Sequence, residues 1–204
     1  MYDFLIYDFD GTLSDTYPVF TKALLELAKR YHVQADYDTA YGLLKQSTGA
    51  ALKAYDFGIS LGQAREEFEE IYCSMALEQQ KAFPDTADIL RFAMGQNKKN
   101  YVYTHSGTWV YDLLDRMGIR DCFDFVLDSS YDFPRKPAPD AINFMIEKCG
   151  IDRRKALMIG DRDLDIEVAH AAGIWACLID PEGYYPNLRA EYRIKELSEL
   201  KKII

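Results

Sequence analysis

Phe4-Leu5-Ile6-Tyr7-Asp8-Phe9-Asp10-Gly11-Thr12 stands at the head of the chain, and its reading governs everything after it. Four apolar residues without alternation predict a short strand buried on both faces, as in a parallel sheet. The run stops at two aspartates two residues apart, and Gly11 behind them permits a sharp turn. Two carboxylates at a strand end can point to a common site and divide the labour of nucleophile, acid/base group and metal ligand. A pair of solvated turn acids would look the same, so the motif needs company further along the chain.

From about Asp15 to Ala82 the pattern is helical. Phe20, Leu24, Leu27 and Tyr31 recur at three- and four-residue spacing, as do Leu61, Ala64, Phe68 and Ile71, and breaks at Gly49 and Gly58 predict roughly four helices. After Phe83-Pro84-Asp85 helices and strands alternate. Helices near 86–94, 108–117, 140–149 and 164–172 lead to apolar runs at 101–103, 125–127, 156–159 and 175–179. That alternation predicts right-handed crossovers and a parallel sheet covered on both faces. The expected fold is therefore α/β: a Rossmann-like core of residues 1–14 and 83–204 with a small helical cap, 15–82, inserted after the first strand. The cap is expected to stand over the sheet and move about hinges near Ser14 to Pro18 and Ala82 to Pro84.

Ligands of such sheets bind beyond the carboxyl ends of the strands, and three further polar clusters fall there. Thr104-His105-Ser106-Gly107 follows the second strand and is read as opening a helix, where hydroxyl and backbone N–H groups would hold phosphate. Arg135-Lys136-Pro137-Ala138-Pro139 places a lysine on a stiff loop, able to neutralise a phosphoryl group and a carboxylate together. Gly160-Asp161-Arg162-Asp163-Leu164-Asp165 follows the fourth strand, with Asp161 and Asp165 spaced to face one cation. Oxygen ligands of this kind suit Mg²⁺. Each cluster also has an ordinary reading: an N-cap, a surface lysine, a helix start with acids favoured by its dipole.

In this order, each at a strand end, the four motifs closely resemble the haloacid dehalogenase superfamily, within which the insert position is similar to that of the phosphoglycolate phosphatase and β-phosphoglucomutase branch. The resemblance rests on DFDGT at 8–12, Thr104, Lys136 in KPAPD and GDRDLD at 160–165, and it spans the whole chain. It implies a Mg²⁺-dependent phosphatase acting on a small phosphorylated metabolite. Asp8 would attack phosphorus to form an aspartyl phosphate, and Asp10 would protonate the leaving oxygen and then deprotonate water. Thr104 and Lys136 would hold the phosphoryl oxygens. His105 beside them is taken as a further phosphate contact, although its position needs only a backbone N–H. Asp8, Asp10 through its backbone carbonyl, and Asp161 would ligate Mg²⁺, with Asp165 as ligand or one layer behind. Asp10 also argues against halide displacement, which needs no proton and no metal. The alternatives are a phosphosugar mutase, weakened by the lack of histidine in Asp15-Thr16-Tyr17-Pro18-Val19-Phe20 and of arginine in Gly49-Ala50-Ala51-Leu52-Lys53, and a non-catalytic binding protein on the same fold.

Composition bounds the partners. With 49 % hydrophobic and 28 % charged residues the chain reads as globular rather than disordered. A formal charge of −9 disfavours nucleic acid and anionic membranes, which select basic surfaces. Cys73, Cys122, Cys149 and Cys177 are scattered singly and read as reduced thiols. No basic stretch precedes a long apolar run, so a cytoplasmic location is expected, with a monomer favoured. His32 reads as a surface residue and His170 as a core or helix-packing one.

Overall fold

The computed structural model describes residues 1–204. The chain divides into two compact units, Met1–Ser14 with Ala82–Ile204, and Asp15–Lys81. The second boundary thus falls one residue before the expected one. Ala82 belongs with the first unit because it forms an antiparallel bridge to Ser14, and Phe83 N–H follows by donating to the Leu13 carbonyl.

The first unit is a six-stranded, wholly parallel sheet in the order β3-β2-β1-β4-β5-β6. Its strands are β1 (Phe4–Tyr7), β2 (Lys99–Tyr103), β3 (Phe125–Leu127), β4 (Ala156–Gly160), β5 (Trp175–Ile179) and β6 (Tyr192–Ile194). The last of these carries too short an apolar run to read as a strand in sequence, and it becomes one by pairing with β5. β1 lies between β2 and β4, so the chain winds one way from it to β3 and the other way through β4 to β6. That reversal leaves a crevice at the carboxyl ends of β1 and β4, the usual place for a ligand in this topology.

Alternation along each strand builds two cores. Ile6, Tyr101, Met158, Ala176 and Leu178 pack on one face with Ala141, Ile142 and Met145 of α7 (Asp140–Cys149) and Ile166, Val168 and Ala169 of α8 (Asp163–Ala171). Leu5, Tyr7, Val102, Leu157 and Ile159, their neighbours in sequence, are equally buried and point the other way. There Asn100 is an unexpected polar group, fully buried in β2. Its amide donates to the carbonyls of Leu90, in α5 (Thr86–Gly95), and of Cys122, both at 3.2 Å. All four cysteines are free. His170 is exposed and meets Glu191 at 3.2 Å, not the core the apolar residues around it suggested.

The helical unit holds α1 (Tyr17–Arg30), α2 (Tyr37–Gln46), α3 (Thr48–Ala54) and α4 (Leu61–Gln79). Four helices were expected, but Gly49 lies inside α3. The break before it falls at Ser47, whose hydroxyl caps α3 by accepting from Ala50 N–H at 2.8 Å. An earlier break runs from Tyr31 to Asp36, with His32 exposed at φ 56°. The unit closes on an aromatic centre, Phe20 against Phe68 and Tyr72 at 5.6 and 4.7 Å between ring centroids. Across it Glu67 accepts from Arg30 at 2.9 Å and from the Tyr31 hydroxyl at 2.6 Å. No helix of the protein is long and apolar enough to cross a membrane.

One glycine decides whether the sheet can carry its site. Gly160 ends β4, and a Cβ there would overlap the Asp165 side chain. Gly160→Ala should therefore displace Asp165 and cost about 1–3 kcal/mol as overpacking, seen as a lower urea midpoint with an unchanged m-value. A midpoint equal to that of the wild type would show that the close approach is not required.

Candidate active site

Asp8 is the first residue past β1, and it stays tied to the sheet by donating its N–H to the Ile159 carbonyl at 2.8 Å. The turn beyond it folds back tightly. Leu13 and Ser14 N–H both donate to the Phe9 carbonyl at 3.1 and 3.0 Å, Gly11 N–H donates to the Ser14 carbonyl at 2.8 Å, and Gly11 sits at φ 81°. Phe9 and Leu13 are buried anchors, which leaves Asp8 and Asp10 facing away from the core. Their surroundings differ. Asp8 is buried beside a lysine; Asp10 is half-buried, and its Oδ2 accepts from the Ser106 hydroxyl at 2.7 Å.

The lysine is Lys136, itself buried. Its ammonium donates to Asp8 Oδ1 at 2.6 Å, to Asp165 Oδ1 at 2.7 Å and to the Tyr103 carbonyl at 3.1 Å, and it lies 4.5 Å from the centroid of the Tyr103 ring. Those three acceptors use all three donors of the ammonium. Asp165 is equally engaged. Its second oxygen accepts from Arg162 N–H at 3.1 Å, which ties the loop after β4 to the first turn of α8. Asp161, buried just past Gly160, completes a group with Asp8 and Asp165 whose ligand oxygens all lie within 4.8 Å of one another.

Three buried carboxylates thus lie together, two of them paired with the one buried ammonium, and the charges of these four groups do not balance. Burial pushes the Asp8 carboxyl well above the ordinary carboxylate range; Lys136 pulls it down, while Asp165, Asp161 and Asp10 push it further up. Burial works against the charge on Lys136 as well, but Asp165 and Asp8 outweigh it and raise the ammonium above its ordinary value. Lys136 stays charged, and the excess of negative charge falls on Asp8. A hard divalent cation among these oxygens would remove that excess, and an all-carboxylate donor set suits one.

The cluster after β2 is arranged differently from the expected helix start. The helix α6 (Val110–Arg116) begins later, so residues 104–107 form a turn closed by Ser106 N–H donating to Thr104 Oγ1 at 3.0 Å. Gly107 lets Trp109 fold against this turn, for a Cβ there would overlap the indole. Thr104 is buried at the strand end. His105 points its Nε2 at the backbone N–H of Lys136, 3.1 Å away. The structure therefore brings Asp8, Lys136, Asp161 and Asp165 into direct association, joins Asp10 to the turn after β2, and sets Thr104 in that turn. Two partners escaped the sequence reading. Ser106, the partner of Asp10, could have been suspected from its spacing to Thr104. The Tyr103 carbonyl carries no sequence signal at all.

Comparison with known proteins agrees with this arrangement. A family model described as haloacid dehalogenase-like hydrolase matches residues 5–179. Fructose-1-phosphate phosphatase YqaB of Escherichia coli is 30 % identical over 179 residues, covering 83 % of this chain and 92 % of that protein. A phosphoglycolate phosphatase of Pseudomonas putida is 27 % identical over 184 residues, covering 83 % of this chain and 66 % of that one. In structure, a crystal structure from Haemophilus somnus described as a predicted phosphoglycolate phosphatase superposes with a TM-score of 0.86 at 19 % identity, over 99 % of this chain and 97 % of that one, which shows a shared fold. The chain belongs to the haloacid dehalogenase-like hydrolase family, and it is an enzyme.

A cation held by these carboxylates would bind in a pH-dependent way with a defined sign. Asp8 must be ionised to share a cation, and its pKa is raised without one, so binding releases a proton as pH falls below that raised value. Affinity should weaken towards acid pH. Conversely, the cation-free fold loses the benefit of a neutral Asp8 as pH rises through the raised pKa, so the gain in Tm on adding a cation should grow with pH. Calorimetric titration with MgCl₂ in buffers of different ionisation enthalpy measures the proton directly. Binding without proton release and without pH dependence would mean that Asp8 is not among the ligands.

Proposed function

We propose that the protein is a Mg²⁺-dependent phosphatase that hydrolyses a small phosphate monoester through an aspartyl phosphate on Asp8. The observation that carries this reading is the contrast between the two aspartates. Asp8 is buried against Lys136, whereas Asp10 is more accessible and held by a neutral hydroxyl. Two carboxylates in unlike environments suit two unlike roles. Asp8 attacks phosphorus, and the bond from phosphorus to the ester oxygen breaks as Asp10 gives that oxygen its proton. Asp10, now ionised, takes a proton from a water molecule that attacks phosphorus. This expels the Asp8 carboxylate and frees inorganic phosphate.

Lys136 favours the anionic form of Asp8 against burial and orients it for attack, and Asp165 keeps Lys136 in place. Thr104 Oγ1, which already accepts from Ser106 N–H, retains its own proton for a phosphoryl oxygen. Asp8, Asp161 and the Asp10 carbonyl are the groups that would hold Mg²⁺. With both oxygens of Asp165 engaged by Lys136 and Arg162, that residue fits a supporting place behind the ligands. The cation supplies the positive charge that lets an anionic ester approach a cluster of acids.

The relatives named above act on phosphoglycolate and on fructose 1-phosphate, and we take small anionic and sugar monophosphates as the substrate class. A panel of such esters, assayed with MgCl₂ and with EDTA, tests the reading. Wild-type enzyme should turn over at least one ester with MgCl₂ and none with EDTA. Asp8→Asn should lower kcat by a factor on the order of 10³ or more while leaving Tm within a few degrees, because the amide keeps its shape and its acceptor for Lys136. Substantial turnover by this variant at unchanged Tm would refute the covalent route. In the same reading the helical unit selects the leaving group. Lys53, exposed on α3, is the residue to change first: Lys53→Ala should reorder the esters by kcat/KM and leave the cation requirement as it was.

A further inference from the structure

Lys136 is held at both of its ends by residues from the end of β2. Tyr103 takes the ammonium, through its carbonyl at 3.1 Å and its ring face at 4.5 Å. Two residues on, His105 takes the backbone, its Nε2 accepting from Lys136 N–H at 3.1 Å. Tyr103 ends β2 and His105 stands in the turn directly after it, and both reach the loop that carries Lys136. Their rings also meet edge to face at 5.9 Å, which fixes the imidazole plane. Nearby, Phe133 packs on Phe144 at 5.1 Å and Ala138 N–H donates to the Arg135 carbonyl at 3.0 Å, but the Lys136 N–H itself goes to His105.

We infer that His105 is a positioning residue of the phosphoryl-transfer site, acting through the Lys136 backbone and touching neither substrate nor cation. The inference builds on the phosphatase reading and names a residue on which the lysine's placement depends. An imidazole nitrogen accepts a hydrogen bond only when it carries no proton, so the contact requires the neutral ring with its proton on Nδ1. The surroundings enforce that state. Burial first, and then the charges of Lys136, Arg135 and Arg162, push His105 down to about 3. A neutral ring with Nε2 committed to the chain is poorly suited to binding phosphate. This places His105 differently from the phosphate contact expected of it in sequence. Without the anchor the Lys136 backbone loses its partner and can shift, and displacement of a catalytic charge by about 1 Å can cost a hundredfold in rate.

Glutamine and asparagine separate this role from mere filling of space, since the Gln side-chain oxygen reaches the place of Nε2 and the Asn oxygen only that of Nδ1. With p-nitrophenyl phosphate and MgCl₂, His105→Leu and His105→Asn should each lose about tenfold or more in kcat with little change in KM. His105→Gln should recover to within about threefold of the wild type. A kcat for His105→Leu within twofold of the wild type, or equal losses in the Gln, Asn and Leu variants, would overturn the inference. A loss confined to KM would do the same and return His105 to a direct phosphate contact. A second measurement needs no turnover. The Lys136 amide should exchange with solvent at least tenfold faster in His105→Asn than in the wild type, and His105→Gln should restore protection. Equal exchange in all three proteins would overturn the inference even if the enzyme proved active. Conversely, an inert wild type with the expected exchange pattern would leave His105 as the anchor and discard the phosphatase reading instead.

Discussion

The ammonium of Lys136, buried between Asp8 and Asp165, is the interaction on which the rest of the site depends. Taking one cation and two anions out of water is costly, and their attraction offsets that cost only where geometry is good and every donor is used. Here every donor is used, the third by the Tyr103 carbonyl. Adding Asp161 to the same few ångströms leaves the cluster short of positive charge. Burial and the neighbouring acids raise the Asp8 carboxyl, and a cation held among these oxygens would offset that crowding of negative charge.

Such a cluster could not be held by a flexible loop. Its members are tied to the ends of one parallel sheet: Asp8 follows β1, Asp161 follows β4 with Asp165 in the first turn of α8, and Lys136, in the loop before α7, is held by Tyr103 and His105 from the end of β2. The sheet order brings β2, β1 and β4 together as neighbours, with the chain reversal between them. Backbone hydrogen bonds, such as Asp8 N–H to the Ile159 carbonyl, carry the rigidity of the ladder one residue past the strands. Gly160 then allows α8 to begin so close to β4 that Asp165 can reach back to Lys136. Scaffold and chemistry meet in these last residues, where burial falls off and polar groups can be both fixed and accessible.

Much of this was legible along the chain, and for identifiable reasons. Strands buried on both faces read as uninterrupted apolar runs, so β1, β3 and β5 fall where the runs predict them. The acids behind β1 and β4 stand out because charge is rare beside such runs. Helix starts were less legible. Thr104 to Gly107 resembles a cap, yet α6 opens only at Val110, because a side chain–backbone turn competes for the same donors. Gly49 resembles a break and sits inside a helix, since the stop signal was Ser47 acting as a cap.

By itself, then, the sequence determined the class of fold, the insertion of a helical unit after the first strand, and the types of group available: paired acids, one lysine, hydroxyls. Those follow from local periodicity and from chemistry that each residue carries wherever it lies. Only the tertiary structure decided who holds whom. That Lys136 spends its donors on Asp8, Asp165 and a main-chain carbonyl, that Asp10 leans on Ser106, and that His105 faces the Lys136 backbone are contacts between residues 29 to 128 positions apart. No periodicity records such contacts. They exist because the sheet lays distant strand ends side by side, and because buried polar groups must then find partners among whatever neighbours the fold supplies.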